Sequence, residues 1–156
     1  MSSDFDEMVN QMQEKILDDM RKIYSEEVIE LFLHPKNIGE IKDAEGYGKF
    51  TGPCGDTMEI YLKINDDKIN DATFMTDGCG TTLACGSTVT SLCKGKTVPE
   101  AMHITSQEIL NRLGGLPEES IHCSVLAVNT LKKAIRNYLA EEKDSWKRFY
   151  IARKPR

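Results

Sequence analysis

The feature that most constrains the fold is a stretch of strict alternation, TMEIYLKI, at residues 57–64. Its apolar side chains occupy every second position: Met58, Ile60, Leu62 and Ile64. Because successive side chains of a strand point to opposite faces of the sheet, this pattern predicts a half-buried strand. The turn signal NDDK and a second strand-like run, INDATFMT, follow directly and predict an antiparallel hairpin. A shorter run, GYGKF at residues 46–50, predicts a third strand before them.

Helical patterns lie on both sides of this hairpin. Residues 4–33 carry apolar side chains at near-helical steps and predict one long amphipathic helix that ends before Pro35. Further helices are predicted over residues 81–94, over residues 105–113 with a capping box of Thr105 and Glu108, and from near Cys123 onward. This order indicates an α+β fold: a small three-stranded antiparallel sheet with helices packed on one face, and long N-terminal and C-terminal helices.

Length and charge exclude several classes of protein. A chain of 156 residues fits one domain, and its net charge of −5 argues against nucleic acid as the main partner, since phosphate contacts need clustered Lys and Arg. No apolar run approaches the roughly 20 residues that a membrane-spanning helix needs. The N-terminal residues are acidic and contain no arginine before Arg21, unlike a secretory signal or a transit peptide. We therefore expect a cytoplasmic protein with no membrane or nucleic-acid partner.

Five cysteines carry the chemical signal: Cys54, Cys79, Cys85, Cys93 and Cys123. Their odd number and the expected reducing compartment disfavour a disulfide framework. Cys54 and Cys79 are bracketed by glycines, which let backbone N–H groups approach a sulfur, and Cys123 begins a predicted helix. Both settings favour the thiolate, so these three thiols predict a shared soft-metal site. Cys85 and Cys93 are predicted to be buried, with Cys85 as an alternative reserve ligand or sulfur relay.

A tetrahedral site needs a fourth donor, and the residues leave two candidates open. Asp56 lies two positions after Cys54, where side chains of an extended segment share a face, and His122 precedes Cys123. The C-x-x-C pairs typical of structural zinc sites are absent from the sequence. A carboxylate or an exchangeable histidine matches a soft iron–sulfur centre less well than a fourth thiolate does. The donor set therefore predicts a site that holds its metal transiently.

Several motifs resemble those of the IscU/NifU-type iron–sulfur cluster assembly scaffolds, in their stand-alone IscU form. They are CGDTMEIYLKI, DGCGTTLA, KGKTVPEA and LGGLPEESIHCSVLA, and the resemblance runs from Tyr24 to Leu139. It implies an N-terminal helical extension at residues 1–23, a scaffold domain at residues 24–139 and a basic, aromatic C-terminal tail at residues 140–156. The family's commonest form has Leu-Pro-Pro-Val-Lys before the His-Cys pair, the segment read by an Hsp70-type chaperone. Here residues 116–120 are LPEES, so the resemblance gives little support to that partner.

The resemblance also implies roles for the candidate residues. Cys54, Cys79 and Cys123 would be the cluster ligands, with Asp56 or His122 as the variable fourth. Cys123 would in addition accept persulfide sulfur from a cysteine desulfurase. The protein would then be a scaffold and not an enzyme. It would build a transient [2Fe–2S] cluster and transfer it to recipient apoproteins or carrier proteins, as a monomer or as a homodimer.

Two other functions compete with this expectation. The resemblance also implies that the same pocket can take zinc in the apo form, which would make the chain a zinc-binding sulfur acceptor. A thiol enzyme using Cys123 and His122 is disfavoured, because neighbouring residues make a poor nucleophile–base pair.

The two ends of the chain differ in charge. Residues 1–30 hold nine acidic and three basic side chains, which predicts either a helix packing one apolar stripe on the core or a partner-binding arm. Residues 143–156 hold six basic residues, one acidic residue and three aromatic residues. This segment is predicted to be the frayed end of the last helix, or alternatively a docking peptide for an acidic partner.

Overall fold

The computed structural model describes residues 2–153, and the side chains of residues 3–142. Two helices come first, α1 (Ser2–Arg21) and α2 (Glu26–Leu33), followed by strands β1 (Gly46–Thr51), β2 (Thr57–Asn65) and β3 (Lys68–Thr76). Helices α3 (Gly80–Cys93), α4 (Val98–Met102) and α5 (Ser106–Leu113), a 3-10 turn (Glu118–Ser120) and helix α6 (His122–Arg153) complete the chain. The predicted α+β fold, with its antiparallel sheet and long terminal helices, is confirmed. No helix within the described residues is long and apolar enough to cross a membrane.

The three strands form one antiparallel sheet in the order β1-β2-β3. The predicted hairpin is confirmed: Asn65 pairs with Lys68 across a two-residue loop. Asp66 and Asp67 fill that loop with φ angles of 53° and 63°. Positive φ at both central residues is the geometry that matches the twist of the flanking strands.

One face of the sheet is covered by helices α3 and α6. The alternating apolar side chains of β2 are at most 5% exposed, whereas the intervening polar residues are only half-buried. Gly48 lets α6 lie directly on β1, because a Cβ there would be 2.4 Å from the backbone nitrogen of Ala134. Gly86 does the same for α3, where a Cβ would be 2.4 Å from the ring of Phe74. These close approaches fix the two helices that begin at Cys79 and at His122.

The predicted single helix over residues 4–33 is wrong, because the chain breaks between α1 and α2. Ser25 caps α2 by accepting a hydrogen bond from the backbone N–H of Val28. Its hydroxyl also donates to the carbonyl of Leu113 at the end of α5. A serine side chain competes with the helix for backbone partners, and here a tertiary contact decides the outcome.

The expectation that the apolar stripe of α1 packs on the core is also wrong. Phe5, Met8, Met12 and Ile16 are between 53% and 63% exposed, whereas Val28 and Ile29 of α2 are buried. The predicted helix over residues 105–113 is confirmed, and its capping box of Thr105 and Glu108 is present. The side chains of residues 143–156 lie outside the described residues, as does the expectation of a docking tail there. The division of the chain into extension, domain and tail stays a prediction.

Candidate metal centre

Three segments that lie close together at one end of the sheet carry the predicted site residues. Cys54 lies in the loop between β1 and β2, which closes with a hydrogen bond of 2.8 Å from Gly52 N–H to the carbonyl of Asp56. Cys79 is the N-cap of α3, just after β3, and Cys123 lies in the first turn of α6. The carboxylate of Asp77 ties the two sheet connections together by accepting a 2.8 Å hydrogen bond from Thr57 N–H. Antiparallel pairing therefore places the first two cysteine loops side by side.

The structure brings the five predicted residues together as two overlapping triads. The carboxylate of Asp56 and the sulfurs of Cys79 and Cys123 all lie within 4.8 Å of one another. The donor atoms of Cys54, Asp56 and His122 meet the same limit. Asp56 belongs to both triads, and within the described part of the chain no group inside this limit contains all three sulfurs. We call Asp56, Cys79 and Cys123 the inner triad, and Cys54, Asp56 and His122 the outer triad. Asp56 thus connects Cys54 to the two sulfurs of the inner triad.

Two threonines that the motif analysis overlooked connect the donors of the inner triad. The hydroxyl of Thr81 lies 3.0 Å from Cys79 Sγ and 3.4 Å from Cys123 Sγ. The hydroxyl of Thr82 donates to Asp56 Oδ2 at 3.2 Å and lies 3.4 Å from Cys123 Sγ. Both threonines are almost completely buried. The signal in the sequence was the pair of hydroxyl residues two and three positions after Cys79, in the first turn of the predicted helix.

We call Cys79, Thr81, Thr82 and Cys123 the floor of the site. We call Cys54, Asp56 and His122, which are partly or fully exposed, its rim. Cys79 is exposed as well, but Thr81 holds it on the floor. The floor is built from the first turns of two packed helices, whereas the rim consists of one loop and the first residue of α6. Cys54 is exposed and is not held by the floor hydroxyls, so it can exchange more readily than Cys123, which is buried.

The two floor thiols differ in pKa. At Cys79, burial alone would raise the pKa, but hydrogen bonds from the side chain of Thr81 and from the Thr82 and Thr81 backbone hold it below its usual value. At Cys123, which is 1% exposed, burial raises the pKa despite hydrogen bonds from Thr81 and Thr82. Burial thus opposes the stabilisation of the Cys123 thiolate that was expected from the helix N-terminus.

His122 approaches its neighbour more closely than its adjacency suggested. Its Nε2 lies 3.7 Å from Cys123 Sγ. Hydrogen bonds to sulfur are longer than those to oxygen, so these two atoms lie within hydrogen-bonding reach of each other. The exposed imidazole therefore lies beside the inner triad, within hydrogen-bonding reach of the Cys123 thiol.

The remaining cysteines are buried in the core, as predicted. Cys85 and Cys93 are 0% exposed. Burial raises the pKa of Cys85, and the nearby sulfurs of Cys123 and Cys79 add to the effect. Burial also raises the pKa of Cys93 to about 12, and its thiol donates to the carbonyl of Thr90. Neither thiol joins the triads described above.

Comparison with known proteins agrees with this architecture. Residues 23–145 match the family described as the NifU-like N terminal domain. "Iron-sulfur cluster assembly scaffold protein IscU 1" of Archaeoglobus fulgidus is 44% identical over 117 residues, which cover 74% of this chain and 76% of that protein. "Iron-sulfur cluster assembly scaffold protein IscU" of Aquifex aeolicus is 42% identical over 122 residues, which cover 76% of this chain and 78% of that protein.

A solved structure shows the same fold. The crystal structure of a nitrogen-fixing NifU-like protein (N-terminal) from Brucella abortus superimposes with a TM-score of 0.60. It covers 78% of this chain and 97% of that one at 18% identity, a likeness that shows the fold alone. The family match spans most of the chain, and the two scaffold proteins exceed 40% identity over more than two thirds of their own length. The chain therefore belongs to the NifU-like N-terminal domain family, together with the IscU-type scaffold proteins.

Proposed function

We propose that this chain is a scaffold on which an iron–sulfur cluster of the [2Fe–2S] type is assembled, and from which it is transferred to recipient apoproteins. The observation that carries the proposal is the inner triad, in which two sulfurs and a carboxylate lie within 4.8 Å of one another. The names of the Archaeoglobus and Aquifex relatives support the same role. The cluster is the cargo of such a protein.

The chemistry of the donors supports temporary holding. Thiolates suit iron–sulfur clusters, whereas a carboxylate oxygen is a harder and weaker partner for the same iron. Cys54, Cys79 and Cys123 would be the ligands, with Asp56 favoured as the fourth because it belongs to both triads. The rim reaches solvent, so the cluster would leave on that side toward a recipient protein.

Cys123 would accept sulfur from a cysteine desulfurase. Its thiolate attacks the outer sulfur of the desulfurase persulfide, the S–S bond breaks, and the desulfurase cysteine leaves as a thiolate. Conversion of the resulting Cys123 persulfide to sulfide consumes two electrons, supplied by an external thiol reductant. Because Cys123 is 1% exposed, this transfer requires the Cys54 loop or the first turn of α6 to move aside.

The donor set also supports a second function, a zinc-binding sulfur acceptor. Two thiolates, a carboxylate and an additional thiolate or imidazole are a ligand set that tetrahedral zinc accepts. Zinc and cluster would then occupy one pocket and exclude each other. The stability of bound zinc in the presence of iron and sulfide separates these two functions.

Anaerobic reconstitution tests the proposal. The chain is mixed with ferrous iron, L-cysteine, a cysteine desulfurase and dithiothreitol, and visible absorption is recorded. We expect sulfur-to-iron charge-transfer bands, which are lost in Cys79→Ser and retained in Cys93→Ala, a matched variant of a buried cysteine outside the triads. The colour should then pass to an apo-ferredoxin.

Two outcomes would contradict the scaffold function. One is a colourless product, and the other is equal colour in the wild type and Cys79→Ser. The same reconstitution is also carried out on protein that has been loaded with zinc beforehand. Zinc that resists exchange under these conditions and strongly raises the melting temperature would favour the zinc-binding function instead.

A further inference from the structure

Helix α1 presents an apolar stripe to solvent. Phe5, Met8, Met12 and Ile16 follow one another at steps of three and four residues, so they share one face of the helix. All four are more than half exposed. A contiguous exposed stripe of large apolar side chains, rimmed by charged residues, marks an interaction surface.

The charges around the stripe indicate a basic partner. Helix α1 carries six acidic residues and two basic ones; the acidic ones are Asp4, Asp6, Glu7, Glu14, Asp18 and Asp19. Among the side chains of residues 3–142, Arg21 pairs with Asp18 and Lys22 with Asp19, and no ion pair engages the other four. Two α1 helices packed together would bring these unpaired carboxylates close to one another. Repulsion between them disfavours that arrangement.

The C-terminal tail of the chain has the complementary chemistry. Residues 143–156 hold six basic residues against one acidic residue. Their aromatic residues, Trp146, Phe149 and Tyr150, follow the spacing of three and four that is typical of one helix face. An acidic, apolar surface and a basic, aromatic segment therefore occur at opposite ends of the same sequence.

In its own chain, the tail starts at the end of α6 that is opposite to the base of α1. Ser25, just after α1, is hydrogen-bonded to the Leu113 carbonyl, and the neighbouring Gly114 lines one cleft together with Ile121 at the start of α6. The base of α1 thus lies near the first turn of α6. Lys143 follows about 30 Å further along that helix, at 1.5 Å per residue. Within one chain the stripe stays exposed.

We propose that two copies of this chain associate reciprocally, with the acidic apolar stripe of α1 in each copy receiving the basic aromatic tail of the other. A two-fold pair makes this contact twice and covers both stripes. Opposite charges steer the tail to the stripe, and the aromatic side chains cover the exposed Phe and Met residues.

The single tryptophan of the chain, Trp146, lies in the tail and serves as the probe. Sedimentation and tryptophan emission are measured on the full chain across a dilution series. We expect a dimer that dissociates on dilution, and an emission maximum that shifts to longer wavelength as it does. High salt should weaken the dimer, because the charges involved are exposed.

Matched variants locate the contact. Met8→Glu with Met12→Glu places two charges within the stripe and should abolish the dimer and the emission shift. Asn10→Glu with Gln11→Glu adds the same charge to the same helix outside the stripe, and should leave the dimer intact. Lys147→Glu with Arg148→Glu should weaken it. Circular dichroism checks that each variant remains folded.

Other occupants of the stripe or the tail give distinct results, each of which would overturn the proposal. A monomer at every concentration is one of them. A blue-shifted emission that does not depend on concentration would assign the contact to the tail of the same chain. A dimer that survives the paired Met→Glu changes, or that the control variant also abolishes, would place the interface elsewhere. A shift that appears only with anionic lipid vesicles would make the tail a membrane-binding segment.

Discussion

The floor and the rim of the candidate metal centre differ in how firmly the protein holds them. On the floor, buried hydroxyls of one helical turn contact both sulfurs and fix the distance between them. On the rim, Cys54 lies in an exposed loop, and no hydrogen bond to its sulfur is present among the described residues. One half of the site is thus preorganised and the other half is open. A carrier needs both properties, because it must gather its cargo at defined ligands and still release it.

We expect the largest effect on stability from a substitution that forces α6, the helix that carries Cys123, away from the sheet. In Gly48→Ala the new Cβ would lie 2.4 Å from the backbone nitrogen of Ala134 and 2.8 Å from its Cα, so α6 must shift. We expect a loss of about 3 kcal/mol in the free energy of unfolding, the upper range for overpacking. Urea denaturation of the metal-free protein measures it.

A glycine that precedes the rim residues supplies the control. In Gly52→Ala the nearest atoms would be 3.7–3.9 Å away, which is ordinary contact. The expected cost is below about 1 kcal/mol. Equal costs at the two positions would show that the contrast between floor and rim does not extend to stability.

The next effect distinguishes the two rim donors. Asp56 belongs to both triads and is held by Thr82, whereas His122 belongs to the outer triad alone. We expect Asp56→Ala to weaken binding of Co²⁺, a spectroscopic substitute for zinc, by about 100-fold, or roughly 2.7 kcal/mol. His122→Ala should weaken it by about threefold, or roughly 0.7 kcal/mol. Anaerobic titration that follows the thiolate-to-cobalt bands measures both. The reverse order would make His122 the fourth ligand.

The sequence predicted the framework of this site better than its internal contacts. The hairpin was predictable because the alternation in β2 and the two aspartates of its turn are local signals. The break before Ser25 was not, because the serine is held by Leu113, which is distant in sequence. An unbroken apolar period at residues 4–33 therefore suggested one helix. Exposure of its stripe depends on where α2 packs, and that is a tertiary property.

The site shows the same difference between features that are local in the sequence and features that depend on tertiary packing. Glycine-bracketed cysteines and the Asp and His beside them are visible in short motifs, so all five residues that the structure brings together could be predicted. Their arrangement as two triads that share Asp56 depends on how the loop after β1 meets α3. Thr81 and Thr82 contact Cys123 only because α3 packs against α6, and no local pattern encodes that packing.

An effect smaller than that expected at Asp56 tests whether the floor threonines matter to the metal. Thr82→Val keeps the shape of the side chain but removes the hydroxyl that donates to Asp56 and contacts Cys123. Loss of a residue that orients metal ligands weakens affinity by 10- to 100-fold in general, and we expect about tenfold here. The same cobalt titration measures it. Thr82→Ser should restore wild-type affinity, because the hydroxyl returns. Thr88→Val removes another buried hydroxyl of α3, one that donates to the Ala84 carbonyl, and should leave affinity unchanged. If both valine variants weaken cobalt binding equally, the loss reflects general damage to α3. The hydroxyl of Thr82 would then have no specific role in holding the metal ligands.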